Sequence, residues 1–323
     1  MKKIAVVCGG YTEERVISRQ SAETVIKALT EAGFDAYKVW IDQSSWNVEI
    51  DGQELTIDRN DFSFMHNAEQ VSFDAVFNTI HGTPGENGLL QGYFDMLGIP
   101  YNNCNVFVSA LTFHKAACNR YLRSFGIPSA ESVMLTVRDS YDVDKILEVV
   151  GLPCFVKPNS SGSSLGISKV KSKEDLIPAI DAAFAEDNSI LIEQFMDGTE
   201  VTCGAWAEHG KAKSIAITEI VSEQEFFDYH AKYHDIGTQE ITPARIPEDQ
   251  YNKVMRLTEQ IYSILECKGV IRIDYIIEKG EPLLIEVNTT PGLSSRSLIP
   301  QQVEYVGMKL SDFFGEQMRR LTE

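Results

Sequence analysis

The stretch GVIRIDYIIEKGEPLLIEVNTTPG, residues 269–292, decides how this chain reads. Two β-type runs flank residues 278–282, and Gly280 marks the turn of an antiparallel hairpin. In that register Asp274 lies opposite Glu286 and Arg272 opposite Asn288, and period-two alternation puts all four on one face. Side chains paired in this way have Cβ atoms roughly 4.5–5.5 Å apart. Two carboxylates that close repel each other unless a cation lies between them. Oxygen ligands joined by an amide oxygen suit Mg²⁺, which completes its shell with phosphate and water. Arg272, on the same face, is expected to meet the phosphate rather than the metal. A merely solvated hairpin face does not account for polar residues set inside otherwise apolar strands. Directly beyond them, Pro291 and Gly292 break the chain open.

The remainder of the sequence bounds what such a face can serve. A chain of 323 residues, 43% hydrophobic, has the material for two or three cores. No apolar run approaches the length of a membrane span. The N-terminal MKKIAVVCGG has too short an apolar stretch for a signal peptide and leads directly into a patterned helix, so it reads as the first strand of a cytoplasmic protein. Cys8, Cys104, Cys118, Cys154, Cys203 and Cys267 are scattered without a CxxC pair, as expected of small buried hydrophobes in a reducing compartment. The net charge is −18 and no basic block interrupts it, which argues against nucleic acid as a partner. An anionic substrate would need a local basic island.

Alternating strands and helices with short loops open the chain. KIAVVCGG is a strand; Ala22, Val25, Ile26 and Leu29 recur at helical spacing until Gly33; FDAYKVWI is a second strand. NVEIDGQELTI carries a hairpin signal at Asp51-Gly52. DAVFNTIHGTPGENG runs from strand into glycine-rich loop, and a helix follows over residues 89–97. This pattern predicts an open parallel sheet whose ligands sit at the C-terminal strand ends, where Gly9-Gly10 and His81-Gly82 fall. A second region starts near Asn105, with a helix over 109–125, the strand PCFVKP and the loop NSSGSSLG. A third, richer in β pattern, begins near Leu191 and carries a helix over about 250–265 before the final hairpin. The expected divisions are 1–104, 105–190 and 191–323, packed around a shared cleft.

Lys157 ends an apolar strand, and the small residues after it offer backbone N–H groups able to fold over phosphates. No Gly-Lys-Ser/Thr follows, so this is not a Walker A loop. EFFDYHAKYHD interleaves aromatics with Lys232. His230 and His234 flank that lysine at i,i+4, but no H-E-x-x-H pattern supports zinc. His81, in its glycine-rich loop, is placed to meet a substrate carboxylate.

Taken in order, GGYTEERVISRQSA, NTIHGTPGENGLLQGYFDMLGIPY, SALTFHK, FVKPNSSGSSLG, LIEQFMDGTEVT, FFDYHAKY, GVIRIDY and LIEVNTTPGLSSRSLIP resemble the D-alanine–D-alanine ligases of the ATP-grasp superfamily over nearly the whole chain. The resemblance implies an α/β, three-domain ATP-grasp architecture: an N-terminal open parallel sheet domain and two α+β subdomains clasping ATP. It implies the joining of two D-alanines to D-alanyl-D-alanine with release of ADP and phosphate, for peptidoglycan precursors, by a homodimer. A related ligase taking D-lactate or D-serine as second substrate is the alternative, and a non-catalytic ATP-binding regulator a more distant one. By the same resemblance, Asp274, Glu286 and Asn288 match the ligands of two Mg²⁺ ions, with Mn²⁺ as a substitute. Lys115 and Lys157 match lysines on the ATP phosphates, and Glu193 and Glu200 fall where adenine and ribose are contacted. Glu14 matches the acid that meets the first D-alanine's ammonium, with Ser163 and Tyr233 as its hydrogen-bonded partners. Lys232 precedes Tyr233 in the closing loop, and His81 lies near the first substrate's carboxylate. Arg272 and the Gly292 N–H would form the oxyanion site, and Ser297 and Leu298 would receive the second D-alanine's carboxylate. Four positions depart from the family's usual residues beside these matches: Val16, Asn87, His230 and Arg296.

Overall fold

The computed structural model describes residues 1–160, 166–221 and 238–323. Near the N-terminus, β1 (Lys3–Gly9), β2 (Asp35–Ile41), β3 (Trp46–Ile50) and β4 (Gln53–Thr56) are followed by a small hairpin of β5 (Phe64–His66) and β6 (Glu69–Val71), then by β7 (Ala75–Asn78). The first sheet runs β4-β3-β2-β1-β7, with β1 parallel to both β2 and β7. Residues 4–8 of β1 are wholly buried, as a central parallel strand covered on both faces must be. Helix α1 (Arg15–Glu31) covers one face with Ala22, Val25, Ala28 and Leu29. The other face packs the β5–β6 hairpin and α2 (Leu89–Leu97) through Phe62, Phe64 and Phe94. Asp51 (φ 51°) and Gly52 (φ 77°) make the two-residue turn between β3 and β4 that the sequence predicts.

The helix expected over 109–125 is two helices, α3 (Val106–Phe113) and α4 (Lys115–Arg123). They break at His114, whose extended backbone (φ −95°, ψ 91°) caps the second helix. Their apolar side chains Val108, Cys118 and Leu122, with Ile127, bury in one core with Val201, Ile271 and Leu284. Residues 105–127 therefore pack with the third sheet, although the second sheet follows them in sequence. That second sheet runs β10-β9-β11-β8 and is antiparallel throughout: β8 (Ser132–Thr136), β9 (Cys154–Pro158), β10 (Ser168–Val170) and β11 (Ser189–Gln194). Helices α5 (Val143–Val150) and α6 (Leu176–Phe184) cover it. A division at 190/191 would cut β11, whose ladders to β8 and β9 hold all of it in this sheet.

The third sheet is antiparallel, in the order β14-β13-β12-β15-β16: β12 (Thr199–Glu208), β13 (Lys211–Val221), β14 (Gln239–Ile241), β15 (Ile271–Glu278) and β16 (Glu281–Asn288). Helix α7 (Glu248–Ile264) backs it through Val254, Ile261 and Tyr262. After β16 the chain forms α8 (Leu298–Tyr305) and α9 (Leu310–Thr322), and α9 returns to the first sheet. The rings of Phe77 and Phe314 meet edge-on at 5.4 Å, and one core joins Ile4 and Val25 to Trp206, Phe313 and Phe314. The N-terminal sheet is thereby fixed against the third, with its C-terminal strand ends facing the β15–β16 hairpin. Among the described residues no helix is long and apolar enough to cross a membrane. All six cysteines are buried and free.

Candidate active site

The β15–β16 ladder pairs Arg272 with Asn288 and Asp274 with Glu286, the register the alternating pattern predicts. On the other side Thr202 of β12 pairs with Asp274. Burial alternates along β15, so Arg272 and Asp274 leave the core on the same side. Arg272 pairs with a carboxylate of its own strand. Its Nε and a terminal N–H donate to the two oxygens of Asp274, both at 2.8 Å. Asn288 Nδ2 donates to Asp274 Oδ2 at 3.0 Å and the Thr202 hydroxyl to Oδ1 at 2.6 Å. Burial by itself would lower the Arg272 pKa, but Asp274 and then Glu286 more than offset it and raise it.

The two lysines come from separate elements. Lys115, the first residue of α4, lies 3.1 Å from Glu286 Oε2. Although burial opposes its charge, Glu286, Glu86 and Glu193 raise its pKa, so it stays an ammonium. Lys157, near the end of β9, bonds Glu193 Oε2 of β11 at 2.6 Å, with both side chains buried. The other oxygen of Glu193 is buried without a hydrogen-bond partner among the described residues. Glu200 lies two residues before Thr202 on β12, on the Thr202 side of that strand.

The first domain supplies the opposite wall. His81 is buried, hydrogen-bonds the Thr290 main chain just past β16, and leaves Nε2 without a partner among the described residues. Burial lowers its pKa, so the ring is neutral at neutral pH. Glu14 begins α1 without capping it. One of its oxygens lies 3.5 Å from where a Cβ on Gly82 would stand, and Gly82 holds φ +63°. Glu86 accepts from the Gly82 N–H at 3.0 Å. Removal from water and the nearby charge of Glu14 push its carboxyl up to about 7. Ser21 of α1 accepts from the Leu293 N–H at 3.0 Å, tying the segment after Pro291-Gly292 to the first domain. There Gly292 lies against Ser297, whose Oγ is 2.8 Å from where a Cβ would be. Ser297 precedes α8, bonds Ser294 Oγ at 2.8 Å, and Leu298 is the first helical residue.

Ser163, Lys232 and Tyr233, with His230, lie outside the described residues. Of the remaining variant positions, Val16 and Arg296 are exposed, while Asn87 donates to Thr83 Oγ1 at 3.0 Å. Two residues of the site escaped the sequence reading. Glu86 carried a signal, an acid among the small residues of GTPGENG. Thr202 became visible only through its pairing with Asp274.

Two carboxylates and an amide from facing strands are the donor set of a hard divalent cation. Among the described residues no group of three His, Cys, Asp or Glu side chains converges ready to hold one. Arg272 already engages Asp274 and Lys115 engages Glu286, so a metal would take over contacts these cations make. The donors fit the ion, and their present partners define what its arrival must displace.

Two antiparallel sheets carrying paired acids, with Lys157 on one of them and Lys115 at the start of a helix beside them, closed by an open α/β domain, define the ATP-grasp class of ligases. The family model for the N-terminal part of D-ala D-ala ligase matches residues 3–104 and that for its C-terminus residues 121–318. A D-alanine–D-alanine ligase of Phocaeicola vulgatus is 51% identical over 313 residues, 96% of each chain. Among solved structures, the VanG D-Ala:D-Ser ligase of Enterococcus faecalis superimposes with a TM-score of 0.89 at 30% identity, covering 100% of this chain and 99% of that one. The D-alanine–D-alanine ligase of Bacillus anthracis complexed with ATP gives 0.80 at 26%, covering 99% of both. The chain belongs to the D-alanine–D-alanine ligase family.

Proposed function

We propose that this protein joins two D-alanines, with ATP → ADP + phosphate, to give D-alanyl-D-alanine for peptidoglycan precursors. The observation that carries the reading is the convergence of Arg272, Asp274, Glu286 and Asn288 on one strand pair, with Lys115 against Glu286 and His81 against Thr290. Family membership supplies the substrate pair.

The first D-alanine's ammonium pairs with Glu14, supported by Ser163 and Tyr233, and its carboxylate meets His81, which donates from Nε2 once that nitrogen takes up a proton. A carboxylate oxygen then attacks the γ-phosphorus. That O–P bond forms as the bond to the ADP oxygen breaks, leaving D-alanyl phosphate. Lys115 and Lys157 hold the phosphates, Glu193 accepts from adenine, and Glu200 binds ribose. Asp274, Glu286 and Asn288 would hold two Mg²⁺ ions (or Mn²⁺), which supply charge neutralisation on the transferring group. The second D-alanine lies with its carboxylate on Ser297 and the N-terminus of α8, where unpaired N–H groups favour an anion, beside Leu298. Its neutral amine attacks the acyl carbon and phosphate leaves with the bonding pair, while the amine's proton passes to water or phosphate. Arg272 and the Gly292 N–H stabilise the tetrahedral oxyanion, and such donors contribute about 3–4 kcal/mol each. For this Arg272 must turn from Asp274. By resemblance the protein acts as a cytoplasmic homodimer.

Phosphate release from ATP should require D-alanine and not respond to L-alanine. The Enterococcus faecalis neighbour makes D-serine the acceptor to compete directly. With D-alanine, D-serine and D-lactate all present, D-alanyl-D-alanine should predominate at neutral pH. A predominant D-alanyl-D-serine or depsipeptide product would overturn the acceptor assignment and leave the ATP chemistry standing.

A further inference from the structure

Lys115 and Lys157 reach the cleft from different elements, yet one fully buried residue holds both supports, through its main chain and its side chain. Asn159, two residues after Lys157, is 0% exposed and spends every polar group on this task. Its main-chain N–H donates to Ser189 O at 3.0 Å, which continues the β9–β11 ladder past Lys157. Its carbonyl accepts from the Lys115 N–H at 3.1 Å. Its Oδ1 accepts from the Ala116 N–H at 2.8 Å. Its Nδ2 lies 2.8 and 2.7 Å from the two ring nitrogens of His114 and 3.2 Å from Ser189 Oγ. His114 Nδ1 in turn accepts from the Ala117 N–H at 3.1 Å.

The first N–H groups of a helix have no partner within it. A residue immediately before the helix ordinarily satisfies them. In α4 the first two are satisfied by a residue 43 positions beyond Ala116, and the third by a histidine that the same residue orients. A local cap would fix the helix start equally well. Only a remote one fixes it relative to β9.

We propose that Asn159, with His114, is a positioning residue that sets the distance between Lys115 and Lys157, so that both ammonium groups meet the phosphates of one nucleotide. The inference rests on the reading that these lysines bind phosphate. It assigns Asn159 no contact with substrate. Because charged hydrogen bonds depend on geometry, loosening the tie should cost nucleotide affinity while leaving the D-alanine pockets, built on other elements, unaffected.

Binding of ADP with Mg²⁺ measured by calorimetry, the KM for D-alanine, and the melting temperature would be compared between the wild type and four variants. Asn159→Ala should weaken ADP about tenfold and leave the KM for D-alanine within about twofold. Ser189→Ala, a milder change that removes one of the tethers on Nδ2, should weaken ADP about two- to threefold. The double variant Asn159→Ala/His114→Asp receives a good local cap. It should regain melting temperature without regaining ADP affinity. Lys115→Ala reports on the underlying reading, and wild-type ADP affinity there would remove the phosphate role itself. If Lys115→Ala weakens ADP while Asn159→Ala does not, or if the local cap restores ADP affinity, the positioning role is overturned. Equal losses for ADP and D-alanine would likewise reduce Asn159 to general stability and overturn it.

Discussion

Arg272 grips Asp274 through two parallel hydrogen bonds of 2.8 Å, although the two residues lie on the same strand with only one residue between them. A fork-to-carboxylate pair of this kind is among the stronger polar contacts, and both partners are largely withdrawn from water. Removing one member strands the other charge, a loss of about 3–5 kcal/mol for buried pairs. Arg272→Met should therefore lower the melting temperature of the ligand-free protein. Added Mg²⁺ and ATP should narrow the gap from wild type, because the metal's charge would compensate Asp274. A gap that stays constant on adding Mg²⁺ and ATP would mean that Asp274 does not serve a metal. Thermal melts with and without Mg²⁺ separate these outcomes.

Glu286 stands opposite Asp274 and takes Lys115 at 3.1 Å. Glu286→Gln keeps the shape and removes the charge, so the fold should persist while kcat falls by roughly three orders of magnitude, as expected where charge neutralisation drives phosphoryl transfer. Turnover near wild type at saturating Mg²⁺ would sink the metal assignment.

The pH dependence of stability should carry the mark of Glu86. Its folded pKa, about 7, lies above the ordinary value of 4.5, so between these pH values the folded protein keeps a proton that the unfolded chain has released. Its contribution to stability is thus fully present below about 4.5 and lost as the pH rises through 7. Glu86→Gln removes that slope. Relative to wild type its melting temperature should climb from pH 5 to pH 8, with the largest gain at the alkaline end. Parallel curves for the two proteins would show that Glu86 titrates normally.

Glu14 shares the Gly82 corner with Glu86 and has no cap to make for α1. If it meets the first D-alanine's ammonium, Glu14→Gln should raise KM for that substrate about 10- to 100-fold, the range for a hydrogen bond to a charged group. KM for ATP should change little. Equal changes in both would leave Glu14 as an acid near a helix N-terminus and nothing more.

The sequence by itself determined the β15–β16 hairpin, its polar face and the pairing of Arg272 with Asn288 and Asp274 with Glu286, because a strand has period two and one apolar face must be buried. It did not determine the register shift between Asp274 and Tyr275 that re-pairs the strands toward the turn. The sequence also determined the parallel strands β2-β1-β7 of the first sheet and the turn at Asp51-Gly52, where local apolar patterning and left-handed backbone suffice. The antiparallel pairing of β3 with β2 that makes this sheet mixed was settled only in the fold. Only the tertiary structure decided that residues 105–127 belong with the third sheet, since an amphipathic helix shows that it has a buried face and not what buries it. It alone set β11 wholly in the second sheet, forked Arg272 onto Asp274, and brought His81 to Thr290 across more than two hundred residues of chain. Asn159 is the clearest instance. In the sequence it is a polar residue opening a glycine-serine loop, and only packing against α4 makes it the shared support of two lysines. Periodicity records which face a residue turns to the core, whereas a hydrogen bond between distant elements depends on where those elements come to rest.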